Sequence, residues 1–144
     1  MTSRFIRLPR RVLVDTGAFF AGADHREINH AAAEAIRVRL ARERWRLFTT
    51  NFVVAETHAL FLRRLGRYHS ALFLSELDRS STVIERVSVD DETQARAILA
   101  RYDDHNFSYT DATSFAVMDR LEIRAAFTFD GNFAEYGVNV LAPR

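Results

Sequence analysis

Short apolar runs alternate along the chain with segments in which apolar residues recur every three or four positions. The runs predict buried strands, and the longer spacing predicts helices that bury one face. We expect strands at 11–15, 45–49, 82–87, 125–129 and 138–141. We expect helices at 31–44, capped by Asp24 or Asn29, and at 51–65, 68–79, 90–102 and 111–120, with the second ending near Gly66.

This alternation of strands and helices predicts an α/β protein. Its central sheet should have about five strands, mostly parallel, and helices should cover both faces. Ligands of such sheets collect at the carboxyl ends of the strands. We therefore expect the functional residues to follow the strands.

Four acidic residues occupy separated positions beside apolar sequence that should be buried. Two end strands, one opens a helix, and one lies on the apolar face of a helix and should point inward: these are Asp15, Asp130, Asp111 and Glu56. An isolated buried carboxylate costs several kcal/mol or takes up a proton, unless a cation compensates it. Mg²⁺ and Mn²⁺ prefer oxygen ligands, so the pattern predicts a divalent metal site.

Each acid also has a structural interpretation. Asp111 lies three residues after Ser108 and could close a capping box at the helix start. Asp15 and Asp130 could be turn residues after strands, and an arginine from elsewhere in the chain could pair with Glu56. The four together favour a functional site.

Composition narrows the chemistry. The 144 residues suit one domain, 1–144, that includes a basic extension at 1–10. Cysteine is absent, which excludes disulfides and thiolate chemistry, and all 20 basic residues other than histidine are arginine. Without lysine, a P-loop and Schiff-base chemistry are excluded, and the lysine-dependent phosphotransfer folds are disfavoured.

Charge and hydropathy predict the surroundings of the protein. No apolar stretch approaches a membrane span or a signal peptide, so we expect a soluble, cytoplasmic protein. Residues 1–67 hold 13 arginines against six acids, although the net charge of the whole chain is +1. Basic residues in this half are candidate RNA phosphate contacts, or simply a solvated face: Arg10, Arg11, Arg44, Arg46, Arg63 and Arg64.

Six segments in order resemble the PIN-domain ribonucleases, and in particular the small VapC-type toxins. They are Val14-Asp-Thr-Gly-Ala-Phe-Phe-Ala21 with His30-Ala-Ala-Ala33, Thr50-Asn-Phe-Val-Val-Ala-Glu56, Phe107-Ser-Tyr-Thr-Asp111 with Ser114-Phe-Ala-Val-Met118, and Phe127-Thr-Phe-Asp130-Gly-Asn-Phe133. The resemblance covers residues 11–142. Two departures are the extension at 1–10 and Gly17, where the family commonly has serine.

The resemblance implies a three-layer α/β/α PIN-like fold and Mg²⁺- or Mn²⁺-dependent cleavage of single-stranded or loop RNA. It implies that Asp15, Glu56, Asp111 and Asp130 are the catalytic and metal-binding set. Weaker candidates for support around the site are Thr16, Thr50, Asp104 and Thr128. Family members commonly form homodimers, and VapC toxins are each paired with an antitoxin protein.

Other functions remain open at this point. A housekeeping RNA-processing nuclease of the same fold would have the same motifs, and a non-catalytic RNA- or protein-binding module could keep the fold. A phosphohydrolase for small esters is disfavoured, because no Gly-rich phosphate loop or Asp-x-Asp pair follows the first strand.

Overall fold

The computed structural model describes residues 9–143, in which five strands and seven helices follow one another. The strands are β1 Arg11–Val14, β2 Arg46–Thr50, β3 Val83–Glu85, β4 Ala125–Phe127 and β5 Asn139–Val140. The helices are α1 Thr16–Ala23, α2 His30–Arg42, α3 Asn51–Leu65, α4 Arg67–Arg79, α5 Val89–Arg101, α6 Tyr109–Leu121 and α7 Asn132–Tyr136. The residues before position 9, which make up most of the predicted basic extension, lie outside the described range.

The strands form one sheet in the order β3-β2-β1-β4-β5, and every pair is parallel. Leu13 in the central strand is in register with Phe48 on one side and Ala126 on the other. The chain moves outward from β1 through β2 and β3, then returns to the other side of β1 as β4. The strand order thus reverses between β1 and β4, which is where open α/β sheets bind ligands.

Alternating side chains of the central strands reach two separate cores. Val12 and Val14 pack with Ile36 and Leu40 of α2 and with alanines of α1. Leu13 points the other way and packs with residues of α5, α6 and α7. This period of two, with helices on both faces, produces the predicted three-layer α/β/α arrangement.

Helices α3 and α4 form a hairpin that packs against α1. Phe20 of α1 meets Phe61 of α3 and Phe73 of α4 in a third cluster, so these phenylalanines are core residues. Gly66 joins the two helices with φ 92°, a left-handed value that glycine adopts without a Cβ clash. The predicted end of the helix at this glycine is confirmed.

Two helices were not predicted, and the structure decides between the two alternative caps that were predicted for α2. Helix α1 consists almost entirely of small and apolar residues and therefore lacks a polar face that would reveal its period. Helix α7 has only five residues. Asp24 ends α1 and does not cap the next helix, whereas Asn29 is the N-cap residue of α2 but makes no side-chain capping hydrogen bond.

Within the described range, no helix is long and apolar enough to cross a bilayer.

Candidate active site

The site begins at the carboxyl ends of β1 and β4, where the strand order reverses. Asp15 follows β1, and its backbone N–H donates to the Phe127 carbonyl at 3.0 Å, which extends the β1–β4 pairing by one residue. Thr128 follows β4, and its hydroxyl donates to Asp15 Oδ2 at 3.0 Å. The Asp130 N–H donates to the same hydroxyl at 3.0 Å. Thr128 therefore fixes the Asp15 carboxyl relative to the turn that carries Asp130.

Asp111 enters the site from the first turn of α6. Its backbone N–H donates to Ser108 Oγ and its Oδ2 accepts from the Ser108 N–H, both at 3.0 Å, so the predicted capping box is present. The same Oδ2 also accepts a hydrogen bond from the Asn132 amide at 3.1 Å. The capping interpretation and the functional interpretation of Asp111 are thus compatible.

Asn132 connects two of the acids. Its side-chain amide donates to Asp111, while its backbone N–H donates to Asp130 Oδ1 at 2.9 Å. Asp130 is therefore a turn residue after a strand, as its structural interpretation held, and it also lies close to Asp111. Sequence reasoning did not single out Asn132, although its position two residues after Asp130 is typical of a turn that aspartate stabilises.

The four acids line one open cavity of about 540 Å³. We call it the acidic cavity. Its wall also contains a fifth acid, Glu27, and Asn29, both from the segment between α1 and α2. Neither residue was predicted, because only the tertiary structure brings this segment over the end of β1. The complete lining is Asp15, Thr16, Gly17, Phe20, Glu27, Asn29, Glu56, Leu60, Arg64, Asp111, Phe129, Asp130 and Gly131.

The acids differ in burial, and one prediction of burial was wrong. Asp15 and Asp111 are buried at 6% and 7% exposure, whereas Glu56 and Asp130 are exposed. Helix α3 buries Val53, Thr57 and Phe61, one residue per turn, and Glu56 lies beside this stripe. Its carboxylate therefore reaches the cavity from the solvent side and does not point into the core.

Burial makes the carboxyl of Asp15 a weaker acid than an exposed aspartate. The pKa of Asp15 is raised to about 7, mainly because burial disfavours its charged form, while hydrogen bonds from the Thr16 backbone and Thr128 oppose the shift. The negative charges of Asp111 and Glu56 raise it further. Burial also raises the pKa of Asp111, against the hydrogen bonds from Ser108 and Asn132.

No cationic side chain in residues 9–143 forms an ion pair with any of the four acids. Over the same residues, no three acidic or histidine side chains already converge as a metal cage. Oxygen donors with uncompensated charge fit a hard divalent cation. Mg²⁺ in particular is usually held by one or two carboxylates together with water and substrate phosphate, so a preformed cage is not required.

Of the weaker candidates for support around the site, one lines the cavity and two do not. Thr16 lines the cavity, and its hydroxyl accepts a hydrogen bond from Thr57 at 3.1 Å. The Thr50 hydroxyl instead accepts from the Val53 N–H and caps α3, so its predicted place at the rim was wrong. Asp104 was also misplaced, because it is exposed, lies outside the lining and contacts His105 at 2.8 Å.

Most of the arginines predicted to contact RNA lie elsewhere. Arg11 and Arg46 are the first residues of β1 and β2, and Arg10 and Arg44 precede these strands. All four therefore lie at the amino-terminal end of the sheet, opposite the acids. Parallel strands place their amino ends together, which explains the grouping. Arg63 does not line the acidic cavity, whereas Arg64 does.

Comparison with known proteins agrees with this geometry. The family profile described as "PIN domain" matches residues 12–139. The chain belongs to the PIN-domain family. The match covers the carboxyl ends of β1 and β4 and all four predicted acids of the acidic cavity.

Relatives within the PIN family are named as ribonucleases. The chain is 36% identical to the 23S rRNA-specific endonuclease VapC20 of Mycobacterium tuberculosis, covering 92% of this chain and 98% of the relative. It is 32% identical to a VapC ribonuclease of Archaeoglobus fulgidus, covering 85% of this chain and 78% of the relative. The predicted resemblance to VapC-type PIN ribonucleases is confirmed.

Solved structures confirm the PIN fold. The crystal structure of M. tuberculosis VapC20, described as a sarcin-ricin loop cleaving toxin, aligns with TM-score 0.83 and 32% identity over 92% of this chain and 99% of that one. FitAcB from Neisseria gonorrhoeae aligns with TM-score 0.61 and 15% identity over 90% of this chain and 96% of that one, which shows the shared fold alone.

Proposed function

We propose that this PIN-domain protein is a toxin-type endoribonuclease whose active site is the acidic cavity. The observation that carries the proposal is the gathering of Asp15, Glu56, Asp111 and Asp130 at the strand-order reversal without an ion-pair partner among the described residues. A fold gains no stability from uncompensated carboxylates placed together. Cation binding and phosphodiester chemistry account for them.

The proposed roles of the four acids differ according to their burial. Asp15 and Asp111, which are buried and held by hydrogen bonds, are the proposed principal ligands of Mg²⁺ or Mn²⁺. When bound, such a cation polarises the phosphodiester and lowers the pKa of a water molecule. Glu56 and Asp130 are exposed at the cavity and can accept hydrogen bonds from attacking water. Thr128 and Asn132 keep the two buried carboxyls in place.

The first substrate to test is large-subunit ribosomal RNA. The VapC20 relative is named for 23S rRNA and its structure for the sarcin-ricin loop, and its match covers nearly the whole of both chains. An open cavity at the protein surface suits an exposed RNA loop better than a paired helix, because loop bases and backbone can be splayed into it.

The decisive experiment incubates the protein with intact ribosomes, with isolated 23S rRNA and with a hairpin that carries the sarcin-ricin loop. Parallel reactions contain Mg²⁺, Mn²⁺ or chelator, and Asp111→Asn serves as the inactive comparison. We expect discrete cuts that need metal and that fall by about 10²- to 10³-fold in the variant. Equal cutting by both proteins would refute the assignment of the site.

We further propose that the protein forms a homodimer and is inhibited by a cognate antitoxin, as the VapC resemblance implies. Sedimentation measures the oligomeric state of the purified protein directly. Co-expression with the product of an adjacent small gene should relieve growth arrest caused by the parent. Growth that is unaffected by expression of the parent would favour a housekeeping nuclease instead.

A further inference from the structure

Arg64 stands apart from the rest of the acidic cavity by its charge. It is the one basic residue in the lining across residues 9–143, where the other charged members are Asp15, Glu27, Glu56, Asp111 and Asp130. It lies in the last turn of α3, two turns beyond Glu56 on the same helix. Its presence requires an explanation, because a cavity that only held cations would gain nothing from a fixed positive charge.

The Arg64 guanidinium is not engaged by the protein's own acids. It makes no hydrogen bond or ion pair with any side chain in the described range, although carboxylates line the same cavity. Its charge therefore does not neutralise the site. Its N–H donors remain available for a ligand in the cavity.

The exposed guanidinium nevertheless has one contact within the protein. Its central carbon lies 5.9 Å from the centroid of the Phe20 ring, within the range of a cation–π contact. Phe20 is itself fixed, because it is 6% exposed and packs edge-on against Phe61 at 5.6 Å. An arginine that rests on a rigid aromatic ring loses less side-chain entropy when it binds a ligand.

We propose that Arg64 binds a backbone phosphate of the RNA next to the scissile bond, and so positions the RNA in the acidic cavity. This inference rests on the proposed ribonuclease function. Five carboxylates repel a polyanion, and metal ions neutralise that charge only around the ligands. A guanidinium in the lining supplies a bidentate anion contact that no other lining residue offers.

Such a contact is to the RNA backbone and carries no sequence information. It should therefore strengthen binding of every loop sequence to the same degree. The planar fork of arginine should matter in addition to its charge, because lysine presents a point charge without the paired donors. These two properties distinguish Arg64 from a base-reading residue and from a general positive charge.

The test uses the full chain carrying Asp111→Asn, so that RNA is bound without being cut. Arg64→Ala and Arg64→Lys are compared with Arg79→Ala, which removes an exposed arginine at the end of α4, outside the cavity. The probes are two fluorescein-labelled RNA hairpins, one with the sarcin-ricin loop sequence and one with a scrambled loop. Fluorescence anisotropy is measured over a series of salt concentrations.

We expect Arg64→Ala to weaken binding of both hairpins by about tenfold, and Arg64→Lys to give an intermediate loss. The slope of log affinity against log salt should fall by about 0.7, the value for one phosphate contact to single-stranded RNA. Arg79→Ala should stay within about twofold of its parent. In the cleavage-competent chain, Arg64→Ala should raise KM by more than it lowers kcat.

Three results would overturn the inference: unchanged affinity in Arg64→Ala, an equal loss in Arg79→Ala, or a loss confined to one loop sequence. Failure of the proposed function gives a different result. In that case the parent cuts no RNA, whatever Arg64 contributes to binding. A parent that cuts RNA but is indifferent to Arg64 would reject this inference alone.

Discussion

Replacing Asp15 by asparagine should stabilise the metal-free protein at alkaline pH while abolishing its activity. Asparagine has nearly the shape of aspartate, and its amide oxygen can still accept the hydrogen bond from Thr128. It carries no charge, so it avoids the cost of ionising a buried carboxyl. A single substitution therefore separates the functional need for the charge from its structural cost.

The size of the expected difference in unfolding free energy follows from the raised pKa of Asp15. Asp15 titrates near pH 3.8 without burial and at about 7 in the folded protein. Because the folded pKa is the higher one, the folded state holds the proton more tightly. The stability that protonated Asp15 contributes is fully present below about pH 4 and is lost progressively as pH rises to 7. At about 1.36 kcal/mol per pH unit, the total is about 4 kcal/mol, of which about 3 kcal/mol falls between pH 5 and pH 8.5.

The assay is urea unfolding with chelator present, followed by circular dichroism and by the fluorescence of Trp45, the single tryptophan. Parent and Asp15→Asn are compared at pH 5 and at pH 8.5. Their difference in unfolding free energy should favour the variant by about 1 kcal/mol at pH 5, relative to pH values below 4, and should grow by about a further 3 kcal/mol at pH 8.5. Titrating groups that do not interact with Asp15 cancel in this comparison.

The control is Asp103→Asn, which neutralises an exposed aspartate between α5 and α6. Asp103 is exposed, so this variant removes a carboxylate that pays no burial cost, and comparison of the two variants isolates the effect of burial at position 15. The reasoning about Asp15 is refuted if its variant shows equal differences at pH 5 and pH 8.5. Full cleavage activity in Asp15→Asn would refute its assignment as a ligand.

Further predictions test the metal, the residues that support it and the scaffold. Mn²⁺ affinity, measured by calorimetry, should rise about tenfold per pH unit below pH 7 and level off above it, because the ion displaces a proton from Asp15; a flat profile would contradict this. Mn²⁺ at 100 times its Kd should add about 2.7 kcal/mol to the free energy of unfolding of the parent and so raise its melting temperature. It should not raise the melting temperature of Asp15→Asn. Asn132→Ala removes the 3.1 Å hydrogen bond to Asp111 and should lower activity by about 10- to 100-fold with little loss of stability; unchanged kinetics would count against the positioning role. Arg120→Ala leaves the buried carboxylate of Asp91 without its 2.8 Å partner, so denaturation should show a loss of about 2 to 3 kcal/mol, while the folded variant should keep the parent's kcat.

Local signals were sufficient to predict most of the scaffold. The sequence predicted β1 and β4 from their apolar runs, and α3 and α6 from apolar residues that recur every three or four positions. In both cases the spacing of the apolar residues shows which side chains are buried. Helix α1 was missed because it packs against both the sheet and α3, which leaves it without a polar face. The short helix α7 offered too few residues to show a period.

The four acids were identified from their positions beside apolar sequence, and the structure brings all four to one cavity. Their ranking by burial was not predictable. Glu56 shares its helix with buried residues, yet lies beside the buried stripe, and a difference of one residue turns a side chain by 100° around a helix. Thr50 and Asp104 were misjudged for a similar reason, since neighbouring position in sequence does not give direction in space.

The sequence by itself determined the alternation of strands and helices, the acidic residues that follow the strands and the absence of lysine and cysteine chemistry. These features are local or compositional, so they need no knowledge of distant contacts. Only the tertiary structure decided that Glu27, Asn132 and Arg64 join the acids. It also decided that Arg10, Arg11, Arg44 and Arg46 gather at the opposite end of the sheet. The reversal of strand order between β1 and β4 brings together segments more than 100 residues apart, and that long-range pairing creates both the burial of Asp15 and its raised pKa.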